Sequence, residues 1–140
     1  MKIKTLVAVL LLSGGVTSTF AQSDCNANSS ISHEAVRAKN FKDAYAPCMA
    51  VLKDCPTLRY YTYTDAQKIL TGLMSQIKDR NSAEYKKLFD ELMAVHDQKM
   101  KYIPEFASKM KGVPSVASAL GTKAVDYLQY APAPDLNQAY

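Results

Sequence analysis

The feature that most constrains this chain is an apolar stripe between a signal for the start of a helix and a signal for its end. Apolar residues recur at intervals of three and four over residues 41–52, which places them on one face of an α-helix: Phe41, Ala44, Cys48, Val51 and Leu52. Lys39–Asn40 precedes the stripe as a tight turn and Pro56 follows it, so we predict a helix over Phe41–Asp54. Pro47 removes one backbone donor, and a bend is expected there. One helix cannot bury such a stripe alone, so it must pack against others.

Helical periodicity continues along the chain and predicts an all-α fold. Pro104 is expected to end the fourth helix, and residues 104–114, which hold Gly112 and Pro114, are expected to form a linker. The predicted helices cover residues 28–38, 41–54, 58 or 62 to 78, 83–102 and 115–128.

The fifth predicted helix carries apolar residues at intervals of four, namely Val116, Leu120, Ala124 and Leu128. Gly121 has no side chain and would permit close approach of a neighbouring helix. A proline-containing break at residues 131–134 separates this helix from residues 135–140, which look like the first turn of another helix. Residues 115–140 are therefore interpreted as the start of a further, incomplete repeat.

Residues 1–21 have the composition of a secretory signal peptide. Lys2 and Lys4 precede an apolar run at residues 6–12, and small residues lead to an expected cleavage site after Ala21. The run is shorter than the roughly 20 residues that span a membrane. Cys25 does not directly follow the cleavage site, so a lipid anchor is not expected. We expect an exported protein, periplasmic, associated with the outer membrane or extracellular, and without a membrane span.

Charge and motifs argue against nucleic-acid binding and catalysis. Loss of Lys2 and Lys4 with the signal peptide lowers the formal net charge from +4 to +2, and the remaining lysines alternate with acidic residues rather than aromatic ones. His33–Glu34 begins like a metalloprotease motif, but Arg37 stands where the second histidine is needed. No glycine-rich phosphate loop occurs in the sequence. We expect no enzyme activity, catalytic residue, cofactor or metal site.

The three cysteines predict one disulfide in an oxidising compartment. Cys48 and Cys55 are on one helix at a Cα separation of about 10.5 Å, beyond the limit of about 7 Å for a disulfide. In an antiparallel helical hairpin, Cys25 at the start of the first helix lies beside Cys55 at the end of the second. We therefore expect a Cys25–Cys55 disulfide and a buried Cys48 thiol.

Tyrosines cluster near the start of the third helix and the end of the fifth. Their rigid, amphipathic rings suit glycan or peptide recognition, which makes Tyr60, Tyr61, Tyr127 and Tyr130 a candidate ligand surface. The preferred alternative is that these rings cover helix ends and pack between helical units.

The pattern around the second helix resembles the tetratricopeptide repeat. Phe41, Ala44, Cys48, Val51 and Pro56 fall on the spacing of that family, and Ala66 supplies a small residue where the next repeat needs one. Short motifs in the same order resemble exported repeat proteins of Gram-negative bacteria: Asp24–Cys25, Lys39 to Tyr45, Asp54 to Pro56, Tyr63 to Ala66 and Asp97 to Tyr102.

This resemblance implies antiparallel helix-turn-helix repeats stacked as a short α-solenoid, with two hairpins over residues 22–103. It also implies a non-enzymatic scaffold that binds partner proteins in the cell envelope, since stacked repeats present extended binding surfaces. The alternative is a secreted helical module that binds a small ligand or a glycan through its tyrosine-rich surface.

Overall fold

The computed structural model describes residues 17–139, with side chains from residue 24 onward. Most of the predicted signal peptide, residues 1–16, lies outside this range. The described chain is all-helical and without strands, which confirms the all-α prediction. The helices are α1 (Thr17–Arg37), α2 (Phe41–Asp54), α3 (Tyr61–Met74), α4 (Ala83–Lys109), α5 (Val116–Tyr130) and the short α6 (Leu136–Ala139). Each helix packs on the next, and α1 also contacts α3.

The turn between α1 and α2 forms where the sequence predicts it. Lys39 adopts a left-handed conformation with φ of 58°, which ends α1. Asn40 then caps α2 by accepting a hydrogen bond from the Asp43 amide at 3.4 Å. α2 has the predicted bounds and contains Pro47. The helix continues through this proline, although the Asp43 carbonyl lacks its usual amide donor.

The predicted disulfide joins α1 to the residue that ends α2. Cys25 and Cys55 are bonded, with their Cα atoms 6.3 Å apart. Closing this loop of 30 residues stabilises the fold by about 3–4 kcal/mol in the chain-entropy description. Cys48 is a free, buried thiol that donates to the Thr62 carbonyl at 3.6 Å. Burial raises the pKa of Cys48 to about 12, so its unreactive thiol form dominates at neutral pH.

The core lies where α2, α3 and α4 meet. Two tyrosines inside it satisfy their hydroxyls with backbone carbonyls, Tyr63 with Pro56 at 2.8 Å and Tyr85 with Tyr130 at 2.6 Å. The core residues are Val36, Ala44, Cys48, Leu52, Tyr63, Ala66, Ile69, Leu70, Met74, Tyr85, Leu88, Leu92, Val95 and Phe106.

Most of the predicted packing positions lie inside this body. Ala44, Cys48, Val51 and Ala66 are fully buried, and Pro56 is half-buried. Phe41 is also half-buried, and its ring lies over Gly72, where an added Cβ would come within 2.3 Å of the ring. Gly72 therefore supports a close approach between α2 and α3.

The expected role of Gly121 is wrong for the described residues. Gly121 is exposed, and a Cβ placed on it would meet nothing within 4 Å. No helix of the described chain comes into contact with this position, which borders an open groove between α4 and α5.

The prediction that Pro104 ends the fourth helix is also wrong. α4 runs through Pro104 to Lys109, so the connection to α5 begins at Met110 rather than at residue 104. Proline costs the helix one donor, but Ile103 and Phe106 on either side of it are buried. Phe106 packs edge-on against Tyr60 and Tyr63, with ring centroids 5.5 and 6.0 Å apart. Tertiary packing therefore outweighs the local helix-ending signal.

Candidate interaction surface

Helix α5 turns an apolar face to solvent. Ala119 is its only residue that is buried in the structure. The large apolar side chains remain open, with Val116 45 % exposed, Leu120 53 %, Val125 60 % and Leu128 39 %. The apolar stripe that the sequence predicts on α5 is thus largely uncovered. We call Val116, Ala117, Leu120, Gly121, Ala124, Val125 and Leu128 the α5 outer face.

The charged residues of α5 point toward the body instead. Asp126 Oδ2 lies 2.7 Å from His96 Nε2, and Lys123 Nζ lies 2.6 Å from Asp97 Oδ1. Lys123 and Asp126 are the only charged residues in the α5 sequence, and their spacing of three places them on one side of the helix. The α5 outer face therefore carries no charge of its own.

The C-terminal end of α5 is tied to the body by two further polar contacts. The Tyr85 hydroxyl donates to the Tyr130 carbonyl at 2.6 Å, and the Arg80 guanidinium donates to the Gln129 carbonyl at 2.9 Å. A cation suits this position because the last carbonyls of a helix carry partial negative charge. Hydrogen bonds and ion pairs thus provide much of the attachment of α5.

A buried polar cluster forms the centre of this attachment. His96 is fully buried, and its Nδ1 lies 3.4 Å from Gln67 Nε2 on α3. Lys99 is 4 % exposed, and burial lowers its pKa while the nearby Asp126 carboxylate opposes that shift. The cluster joins α3, α4 and α5. No group of three or more His, Cys, Asp or Glu residues in the described chain is placed to hold a metal ion.

An open groove of about 620 Å³ lies between α4 and α5, and we call it the α4–α5 groove. Its lining is mainly apolar and includes Phe89 and Met93 from α4 and Leu120, Ala124 and Tyr127 from α5. The volume is within the range of ligand pockets, about 300–1,000 Å³.

The short helix α6 closes one end of the α4–α5 groove. The Tyr127 hydroxyl is 3.0 Å from Gln138 Oε1 and accepts from the Asp135 amide at 3.1 Å. The last described residues therefore fold back onto α5. On the α4 side, the Tyr127 ring contacts Phe89, with ring centroids 6.0 Å apart.

A second surface lies between α1 and the start of α3, and its residues Ser29, His33, Arg59, Tyr61 and Asp65 are called the α1–α3 polar cluster. His33 Nδ1 is 2.7 Å from Asp65 Oδ2, and Asp65 is 3 % exposed. The His33 ring lies against Tyr61 with centroids 4.5 Å apart. Arg59 donates to the Tyr61 hydroxyl at 2.6 Å and to Ser29 Oγ at 3.3 Å.

The structure distributes the four candidate tyrosines over different environments. Tyr60 and Tyr130 are packed against the core cluster. Tyr61 belongs to the α1–α3 polar cluster, and Tyr127 lines the α4–α5 groove. No ring contact given by the structure joins any two of these four tyrosines. They do not form one aromatic pocket in the described chain.

Sequence reasoning missed the residues that attach α5. His96 and Asp126 are far apart along the chain and match no motif, so only the packing of α4 on α5 brings them together. A signal for the polar side was present, since Lys123 and Asp126 share one side of a helix that is otherwise uncharged. Arg59 was missed because it lies in a connecting segment without periodicity.

Comparison of the chain with protein-family models, with curated proteins and with solved structures gave no match. Among the described residues, no helix is long and apolar enough to cross a membrane.

Proposed function

We propose that this protein is an exported, non-enzymatic scaffold that binds a partner protein through the α5 outer face and the adjoining α4–α5 groove. The observation that carries this proposal is the exposure of Leu120, Val125 and Leu128 on a helix whose charged residues are all turned inward. Contiguous apolar surface of this kind is a common mark of an interaction site.

The order of the helices supports a tetratricopeptide-like arrangement. α1 and α2 form one hairpin, α3 and α4 form another, and α1 contacts α3 across the pair. In stacked repeats each unit covers its neighbour, and the last unit needs a cover for its apolar side. We propose that α5 begins a third unit of a short solenoid of this kind.

The proposed occupant of the α5 outer face is an amphipathic helix of the partner. α5 packs mainly on α4 and also contacts the four-residue α6, so one flank of α5 has the space that a neighbouring helix takes in a stacked array. Apolar residues on α5 recur at intervals of three and four, which suits the ridges and grooves of another helix. The absence of charge from this face favours an apolar contact surface on the partner.

Export is proposed on two grounds. The sequence begins with a pattern typical of a signal peptide, and the Cys25–Cys55 disulfide is a feature of oxidising compartments. We propose that the mature protein works in the cell envelope or outside the cell.

Site-specific photo-crosslinking in the exporting cell tests this function. A photoreactive amino acid replaces Leu120 in one variant and Ile31 in a matched control, because Ile31 on α1 is 57 % exposed and Leu120 is 53 % exposed. We expect position 120 to crosslink to a defined helix of one partner protein and position 31 not to do so. The charged substitution Val125→Asp should abolish this crosslink without loss of folded protein.

Equal crosslinking from both positions, or crosslinks from position 120 that survive Val125→Asp, would contradict the scaffold function. The small-ligand or glycan alternative predicts a different result. It requires saturable binding of a ligand, which Tyr127→Ala should abolish. The photoreactive residue at position 120 should then form no crosslink to a protein. The separation of the four tyrosines weighs against this alternative.

A further inference from the structure

The three arginines of the chain, Arg37, Arg59 and Arg80, have different electrostatic partners. Arg37 pairs with Glu34 at 3.2 Å, and Arg80 donates to a carbonyl at the negative end of α5. Arg59 has neither type of partner. Its hydrogen-bond partners are the neutral oxygens of Ser29, Tyr61 and Asn26, and it makes no ion pair among the described residues.

The position of Arg59 makes this lack of a negative partner more costly. Arg59 precedes α3 by two residues, and the start of a helix carries partial positive charge. The first turn of α3 holds no acidic residue, and its N-cap, Tyr60, makes no side-chain capping bond. A cation beside an uncapped helix start is electrostatically unfavourable, and an anion placed there would relieve it.

The Arg59 guanidinium is held in place by its neighbours. It lies at the hydroxyl end of Tyr61, 2.6 Å from the phenol oxygen, while its Cζ is 5.7 Å from the ring centroid. Ser29 is 1 % exposed, and its Oγ lies 3.3 Å from the same guanidinium nitrogen, Nη1. A guanidinium has five N–H donors, so this arrangement leaves donors for a further acceptor.

His33 supplies a second oriented group in the same cluster. Its Nδ1 faces the buried Asp65 carboxylate at 2.7 Å, and Nε2, on a side chain that is 37 % exposed, makes no hydrogen bond within the described chain. His33 follows Ser29 by one helical turn on α1, and its ring contacts Tyr61. Arg59 and His33 therefore flank the same tyrosine.

The residue that follows Tyr61 has a buried hydroxyl that also lacks a partner. Thr62 is 2 % exposed, lies in the first turn of α3, and its Oγ1 has no hydrogen-bond partner within the described chain. Buried polar atoms without a partner are uncommon in folded proteins.

We propose that the α1–α3 polar cluster binds an oxyanion, a carboxylate or phosphate group, with Arg59 as the main charged donor and the doubly protonated, imidazolium form of His33 donating from Nε2. Charge-assisted hydrogen bonds from a guanidinium to such groups are among the strongest in proteins. This site is separate from the α5 outer face and does not depend on the function proposed there.

NMR titration of the folded, disulfide-bonded protein tests the site. Inorganic phosphate, acetate and chloride are added in separate titrations at constant ionic strength, and the resonances of the Arg59 side chain and the His33 ring are followed. We expect saturable shifts with phosphate or acetate and none with chloride. The stronger of the two oxyanions indicates whether a phosphate or a carboxylate is the natural group.

Arg59→Gln should weaken this binding by about tenfold or more, since a hydrogen bond to a charged group contributes about 1.5–3 kcal/mol. Arg59→Lys should retain part of it. Arg80→Gln is the matched control, because Arg80 also lies 5.7 Å from a tyrosine ring and donates to a neutral oxygen. Linear shifts without saturation, or equal losses in Arg59→Gln and Arg80→Gln, would overturn the proposal. Far-UV circular dichroism of each variant confirms that it is folded.

Discussion

Helices α2, α3 and α4 bury their apolar stripes against one another, whereas α5 turns its charged residues inward and its apolar stripe outward. The first arrangement gives a closed core that a disulfide reinforces at the α1–α2 end. The second gives a helix that hydrogen bonds and ion pairs tie to the body and that leaves apolar surface exposed. The contacts that attach a helix to the body therefore decide which of its faces remains exposed and available for binding.

The largest expected effect comes from removing the disulfide of the closed body. The double variant Cys25→Ala with Cys55→Ala should lower the free energy of unfolding by about 3–4 kcal/mol, because the unfolded chain regains the freedom that the 30-residue loop loses. Urea denaturation followed by circular dichroism measures this loss. A change as small as that of the single variant Cys48→Ala would contradict the assigned role of the bridge.

Breaking the polar attachment of α5 should have a more local effect. Asp126→Ala removes the partner of the buried His96 and should cost about 1–3 kcal/mol, the penalty for an unsatisfied buried polar group. Hydrogen exchange should accelerate in α5 and remain slow in α2 and α3. Lys123→Gln is the control, since its partner Asp97 is 59 % exposed and such a pair contributes at most about 1 kcal/mol. Uniform acceleration through all helices would show that α5 is no separate unit.

A pair of glycine substitutions compares the two regions directly. Gly72→Ala places a Cβ within 2.3 Å of the Phe41 ring, and this overpacking should destabilise the body by about 1–3 kcal/mol. Gly121→Ala meets nothing within 4 Å and should stabilise α5 by up to about 1 kcal/mol through helix propensity. Thermal unfolding of both variants checks these opposite signs. Destabilisation by Gly121→Ala would mean that the α5 outer face is already covered in solution.

The smallest effect at neutral pH concerns the Cys48 thiol. Folding raises its pKa from 9.0 to about 12, so the stability it contributes is fully present below pH 9 and is lost as the pH rises toward 12. Titration of Tyr45, whose pKa is raised from 10.0 to about 12 by burial and by Glu91, acts in the same direction between pH 10.0 and about 12. Unfolding curves at pH 8 and pH 11 should therefore differ less in Cys48→Ala than in the native chain. An identical difference in both would assign the alkaline loss to other groups.

Much of the helical framework could be predicted from local sequence. The bounds of α2 follow from its apolar spacing and the Asn40 cap, and the Cys25–Cys55 pairing follows from the geometry of a hairpin. The end of α4 could not be predicted in this way, because Phe106 holds the helix on the core beyond Pro104. Local signals describe what one segment prefers, and packing energy can outweigh them.

The candidate sites were less accessible to sequence reasoning. Of the four tyrosines proposed as a ligand surface, Tyr61 lies in the α1–α3 polar cluster and Tyr127 lines the α4–α5 groove, whereas Tyr60 and Tyr130 pack against the core. Nothing in the local pattern distinguishes these two outcomes. The partners of each ring come from other helices, at separations along the chain that a periodicity does not encode.

By itself, the sequence determined that this chain is helical, where α2 begins and ends, and which cysteines can pair. These properties depend on the spacing of residues along a helix and on the short turn that makes two successive helices antiparallel. The tertiary structure alone decided that the apolar stripe of α5 faces solvent. Periodicity defines which residues share a face of a helix, but it does not define which face packs on the body. In α5 the charged face packs inward, because Asp126 contacts His96 and Lys123 pairs with Asp97. The same holds for Arg59, whose unbalanced charge became visible only when its neighbours were placed.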